Sequence, residues 1–266
     1  MAGATWPDSP LLMRSHSGDS LFILRNLIAK DFKVRYRNMS LGILWSLVNP
    51  LVMMGVLTFV FTVVMPNPRR NFPLFVLMGI LPYNFFSLAW STGTTSIVDS
   101  GRLIKKVPFM RELVPLSTVM ANSLHYFIQF GLLLVAVSLV IGPSWSWTWL
   151  PVVVALQLVF VAGLTLATSA LDVYLRDMRY VVESTNLVLF WLVPIFYGFE
   201  TIPRRYAWVY ELNPVAAVIM LMRTILLDGE PPNLSTLMKF AAVSIGTMAA
   251  GAIIFRRLQR NFADYL

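Results

Sequence analysis

The 266 residues are 57% apolar and only 13% charged, against roughly 45–50% and about 25% in soluble domains, which excludes an ordinary water-soluble protein and leaves a bundle of spans needing about 20 apolar residues each. A formal charge of +8 would suit a nucleic-acid binder, but the cations sit between apolar segments and form no single basic domain, so nucleic acid is not an expected partner. The chain has no cysteine, and its two histidines, His16 and His125, lie far apart, so no disulfide, metal centre or resident cofactor is expected.

In chain order, residues 1–20 carry Asp8, Asp19 and two prolines without a sustained apolar core, which reads as a cytoplasmic tail and not as a signal peptide. A helix is predicted over 21–38. Leu21, Leu24, Ile28 and Phe32 recur at helical spacing, with Asn26, Lys30, Lys33 and Arg37 clustered opposite them, the pattern of an amphipathic helix lying in the headgroup layer. Its basic face has two readings: an anchor to anionic lipid, or a reception point where Lys30, Lys33, Arg35 and Arg37 take a phosphate-bearing substrate headgroup. On a helical wheel Arg35 falls toward the apolar side, where a cation needs an anion.

The first uncharged run, 41–65, is more than long enough to cross a core of about 30 Å and is predicted as span one. Prolines and arginines at 66–71 end it, and span two follows at 72–92. The segment 101–112 mixes Arg102, Lys105, Lys106, Arg111 with Leu103, Ile104, Val107 and Phe109, more apolar surface than a solvated loop needs, and reads as a docking surface. No charge occurs between Glu112 and Asp172. That interval holds spans three and four, 116–141 and 150–171, divided by Gly142-Pro143 and by Trp145, Trp147 and Trp149 at a membrane interface. A cytoplasmic loop with Arg176, Asp177 and Arg179 leads to span five at 181–199, and span six is expected at 234–255. Between them, 200–233 contains an apolar piece too short to cross, and reads as a pair of re-entrant or interfacial helices. With this topology 15 of the 21 Lys and Arg fall on one side, which by the positive-inside rule is cytoplasmic and holds both termini.

Spans one to four hold no Asp, Glu, Lys or Arg at mid-depth, which disfavours a carrier driven by a coupled ion. The chain lacks the phosphate-binding GxxxxGK[ST] loop, a zinc-binding HExxH and any Ser/His/Asp set on one membrane face, so an ATPase would be a separate subunit and an enzyme is not expected.

Lys33-Val34-Arg35-Tyr36-Arg37 with Leu41-Gly42-Ile43-Leu44-Trp45 and Asn49-Pro50 resembles the start of span one in the type-2 ABC transporter permeases, and within them the bacterial exporters of polysaccharide and teichoic acid. Leu103-Ile104-Lys105-Lys106-Val107-Pro108-Phe109 with Arg111-Glu112-Leu113 and Pro115-Leu116-Ser117 is similar to their coupling-helix region, although Met110 stands where many of them carry a second proline. Tyr174-Leu175-Arg176-Asp177-Met178-Arg179-Tyr180, Pro194-Ile195-Phe196-Tyr197, Asn213-Pro214 and the tail from Phe255 to Leu266 extend the likeness over about 21–266.

The resemblance implies an all-α membrane permease domain at 21–266 with six spans, and a homodimer in the bacterial inner membrane. It implies two copies of a separate ATPase subunit, which would hold ATP and Mg and dock around 102–111. The expected cargo is a lipid-linked polysaccharide of O-antigen, teichoic-acid or capsule type, received near the amphipathic helix. Trp45, Phe59, Tyr83, Phe86, Trp90, Trp191, Phe196 and Tyr197 are candidates to line its path, since sugar C–H faces stack on aromatic rings; helix packing and interfacial belts are the other use of such rings. Export of a drug or a simple lipid by the same fold, and a membrane-bound glycan-assembly enzyme, are the alternatives.

Overall fold

The computed structural model describes residues 17–36, 44–64, 71–106 and 109–265. The expected tail up to residue 16, Arg37, Val107 and Pro108 lie outside the described residues, as do the side chains of Arg35 and Lys106. Every regular element among the described residues is helical.

Helix α1 (Ser17–Tyr36) is followed by α2 (Trp45–Phe59), which contains Pro50 and is prolonged by a π-helical turn Val60–Val64. Asn71, in the left-handed region at φ 56°, starts α3 (Phe72–Asp99), whose Pro73 takes a first-turn position where no amide hydrogen is needed. A six-residue helix, α4 (Gly101–Lys106), leads to α5 (Leu113–Val140). The tryptophan-rich 3₁₀ turn Trp145–Trp149 then opens α6 (Leu150–Tyr174). After α7 (Met178–Leu192) come α8 (Ala207–Leu212), α9 (Pro214–Arg223) with a π-helical turn Thr224–Asp228, α10 (Leu234–Leu258) and α11 (Phe262–Tyr265).

Five helical stretches among the described residues are long and apolar enough to cross a membrane: Leu47–Val64, Phe72–Asp99, Leu113–Val140, Trp145–Tyr174 and Leu234–Asn261. Helix α3 is the hub: 78% of its most apolar window is buried, against 11% for α2. One large core surrounds α3 and takes in α9; a smaller one joins Leu27, Ile97, Ile104, Val114, Leu166, Ala170, Val173, Phe255 and Phe262. The second core gathers the middle of α1, the short α4 and α11, and the adjoining ends of α3, α5, α6 and α10. Arg25, Lys30, Arg102, Arg111, Arg176, Arg256 and Arg260 belong to the same segments, so we call it the basic end.

Helices α6 and α10 approach most closely. A Cβ on Gly251 would stand 2.0 Å from the Gly163 carbonyl oxygen, and one on Gly163 would stand 2.4 Å from Met248 Cα. Small residues let membrane helices gain dispersion contact, because water expulsion does not drive them together in lipid.

The run expected as a single span at 181–199 is not one helix. Helix α7 has 15 residues and stops at Leu192; Val193 is extended at φ −80°, ψ 142°, as expected for a residue before proline. Fifteen helical residues rise only about 22 Å, but the extended turn carries the chain on. Ile195 reaches Gly79, near the start of α3, where an added Cβ would lie 2.8 Å from the Ile195 carbonyl oxygen. Residues 178–195 therefore run along most of α3. Within 200–233, the short apolar piece forms α9, whose Val215–Ile219 stretch is buried. Its start is fixed by Asn213, whose side-chain oxygen accepts from the amides of Val215 at 3.0 Å and Ala216 at 3.4 Å.

Candidate functional site

At the basic end α1 lies against α5 and is flanked by two depressions of different chemistry. The first is an apolar groove of about 400 Å³ lined by Leu21, Leu24, Ile28, Ala29, Phe32 and Leu124, with Arg25 and Lys33 at its border. It contains the apolar stripe predicted on α1. Phe32 stacks on His125 of α5, with ring centroids 5.1 Å apart and planes 10° from parallel. Leu27 turns into the second core, so α1 is held by packing on both sides of its axis.

The second depression, of about 360 Å³, is polar and lies between α1, α3 and α5. Lys30 and Asp31 come from α1, Thr92, Ser96 and Asp99 from α3, and Ser117, Thr118 and Asn122 from α5. The Asn122 amide donates to Thr92 Oγ1 at 3.0 Å and to the Thr118 carbonyl at 2.8 Å. Thr118 Oγ1 lies 3.3 Å from Asp31 Oδ2 and 3.2 Å from the Val114 carbonyl, sharing one proton between them. Thr95 donates to Asp99 Oδ2 at 2.8 Å. Lys30 thus sits beside two carboxylates, which sets it apart from Lys33 at the apolar groove.

Of the four cations expected to receive a headgroup, Lys30 and Lys33 are exposed. They face different depressions, and Arg25 shares Lys33's position.

The expected aromatic lining divides in two. Tyr83, Phe86 and Trp90 are buried in the bundle: Phe86 packs on Trp90 at 5.4 Å and on Phe160 at 6.0 Å, and Tyr83 meets Phe190 at 5.5 Å. The Tyr83 hydroxyl donates to the Asn186 carbonyl, and the Asn186 amide donates to Ser91 Oγ at 3.0 Å, clasping α7 to α3. Trp45, Phe59 and Trp191 lie on the surface, 48%, 59% and 62% exposed. Phe196 is buried, with Trp191 and Tyr197 packed on it at 5.5 and 5.4 Å.

In the 101–112 segment Arg102 and Lys105 are exposed, whereas Ile104 is buried and Leu103 and Phe109 pack on the second core. The apolar residues there are turned inward more than a purely external docking surface would have them. Arg111 Nη1 donates to the Gln259 carbonyl at 2.5 Å, and Arg256 pairs with Glu112 at 3.2 Å, joining this segment to the end of α10. Arg176 and Asp177 are exposed in the turn between α6 and α7, and Arg179 is exposed in the first turn of α7.

Two groups escaped the sequence reading. Arg223, counted there only as a cation of the less basic side, is 8% exposed. Its guanidinium donates to the carbonyls of Pro194 and Ile195 at 2.6 Å each and of Phe75 at 3.1 Å, with Cζ 3.4 Å from the Phe75 ring centroid. Tyr197 donates to the Leu192 carbonyl at 2.6 Å, satisfying the end of α7. The other group is the polar cleft. Its signal was present as Ser117, Thr118 and Asn122 recurring at helical spacing along α5, with Thr92, Ser96 and Asp99 doing so on α3.

The family described as ABC-2 type transporter matches residues 24–227. The chain is 30% identical to the O-antigen export system permease protein RfbA of Klebsiella pneumoniae over 250 residues, 93% of this chain and 95% of that protein. It is 33% identical to the protein of the same description from Myxococcus xanthus over 246 residues, 91% and 94% of the two chains. It is also 24% identical to the polysialic acid transport protein KpsM of Escherichia coli over 241 residues, 86% and 91% of the two.

Proposed function

This chain belongs to the ABC-2 type transporter family, and we propose that it is the transmembrane subunit of an ATP-driven exporter that carries a lipid-linked polysaccharide across the bacterial inner membrane. The observation that carries the reading is near full-length similarity to permeases named for O-antigen export. The bundle suits such a role physically: its long apolar helices lack a phosphate-binding loop, so the driving energy comes from a partner ATPase that holds ATP and Mg.

Two copies of the chain pair with two ATPase subunits. Both termini are cytoplasmic, because that side then carries most of the Lys and Arg, and the basic end faces the ATPase. Helix α7 with the extended turn after it makes the sixth crossing, and α8 and α9 form the re-entrant pair on the external side. Helix α1 rests at the cytoplasmic headgroup layer. Lys33 and Arg25, helped by Arg35 and Arg37, hold the phosphate of the cargo at the mouth of the apolar groove, which takes the start of its lipid chain. The exposed Trp45, Phe59 and Trp191 offer stacking faces to the sugar chain between the two copies, with Phe196 and Tyr197 supporting Trp191; Tyr83, Phe86 and Trp90 keep α3 rigid. Arg102 and Lys105 face the ATPase, and the packed Leu103, Ile104 and Phe109 pass its movement into the second core.

Proteoliposomes containing the chain with its ATPase should move a lipid-linked glycan only when ATP is supplied. Equal transport by the chain without the ATPase would overturn the reading.

A further inference from the structure

We infer that the polar cleft between α1, α3 and α5 is a binding site for a neutral sugar residue of the cargo, next to the groove that takes its lipid; this rests on the exporter reading above. The lining consists mostly of hydrogen-bond acceptors. The Ser96, Ser117 and Thr92 hydroxyls spend their protons on the carbonyls of Gly93, Val114 and Leu88, each at 2.7 Å, and so turn lone pairs toward the space they line. Asp31 and Asp99 add two carboxylates, and Lys30 is the one cation among the described lining residues. Asn122 is 2% exposed; its amide N–H groups are used on Thr92 and Thr118, while its Oδ1 has no hydrogen-bond partner. A buried amide oxygen left unsatisfied is costly, so a donor that reached it would relieve that cost.

The charge balance decides between ligands. Two carboxylates against one ammonium repel a phosphate or pyrophosphate, which instead suits Arg25 and Lys33 on the other flank of α1. A sugar ring is neutral and surrounded by O–H donors, which is what a wall of acceptors binds. The volume of about 360 Å³ falls within the range of roughly 300–1,000 Å³ of small-molecule pockets. Helix α1 therefore separates two halves of one cargo, lipid and phosphate on one flank and sugar on the other.

The test uses the chain with its ATPase in lipid nanodiscs and saturation-transfer NMR with methyl glycosides of glucose, galactose, mannose and N-acetylglucosamine. At least one glycoside should show transfer, falling five-fold or more in Asn122→Leu and in the isosteric Asp99→Asn. Absence of transfer from every glycoside, unchanged transfer in the variants, or displacement of the glycoside by inorganic pyrophosphate or phosphoethanolamine would overturn the assignment. If Asn122→Leu fails to insert, Asp99→Asn decides alone. ATP-driven export measured on the same wild-type preparation separates the two readings: export without glycoside transfer removes only the sugar site, and loss of ATP dependence removes the exporter.

Discussion

Arg223 shows how one side chain can organise a turn that has no regular structure. The segment after Leu192 exposes carbonyls that a helix would have satisfied, and in an apolar setting each such group is costly. A guanidinium answers several at once because its donors are fixed in a plane. Arg223→Met should therefore lower stability by about 3 kcal/mol or more, given charge-assisted hydrogen bonds worth about 1.5–3 kcal/mol each, seen as a fall in melting temperature in detergent. Arg223→Lys should recover little of it, since an ammonium cannot span Phe75, Pro194 and Ile195. This role was illegible in the sequence: an arginine at the edge of the apolar piece 212–222 looks like a flanking interfacial charge, and only the return of residues 194–197 to α3 reveals what it holds. For Tyr83 and Phe86 the sequence left two uses open, because an aromatic ring has the same one-letter signature in a core as along a path.

Among the elements, long uncharged runs were legible because hydrocarbon permits few alternatives to a helix. Five of the six expected spans fall on long apolar helices, and span two, expected to end at 92, runs on to Asp99. The fifth was legible as an apolar run but not as a shape, since hydropathy measures apolarity and is blind to Val193 leaving the helical region before Pro194. Close packing of α6 on α10 was equally hidden. Gly163 and Gly251 look like any other glycines of apolar runs, and only the crossing of the two helices shows that they touch. Two substitutions on one helix test this. Gly251→Val places atoms where the Gly163 carbonyl already sits and should cost about 1–3 kcal/mol by overpacking. Gly246→Ala, whose added Cβ meets nothing within 4 Å, should stay within about 0.5 kcal/mol of the parent. Thermal unfolding of both proteins in the same detergent checks the contrast; equal losses would remove the packing claim.

For the whole molecule, the basic end is where position, charge and packing converge. The end of the 101–112 segment is anchored by Arg111 on Gln259 and by the Glu112–Arg256 pair, which tie it directly to the end of α10. On the exporter reading proposed above, the exposed Arg102 and Lys105 would be the contacts offered to the partner ATPase. Replacing both with Glu should weaken ATPase association about ten-fold, a change of about 1.4 kcal/mol, measurable by co-purification at graded salt, while membrane insertion is unaffected; unchanged association would place the docking surface elsewhere. Phe109→Asp is the poorer probe, because Phe109 belongs to the second core and its loss would disturb folding as well.

The two unlike flanks of α1 have a consequence for cargo choice. On the two assignments proposed above, a lipid phosphate without sugar would engage one flank only, and a sugar without lipid only the other. A molecule carrying both would be held by both, and because the second contact is intramolecular once the first is made, avidity would exceed either affinity by about 10²–10⁴. The helix would then act as a conjunction: it retains finished conjugates, and lets unloaded lipid carriers and free glycans drift away before any ATP is spent on them.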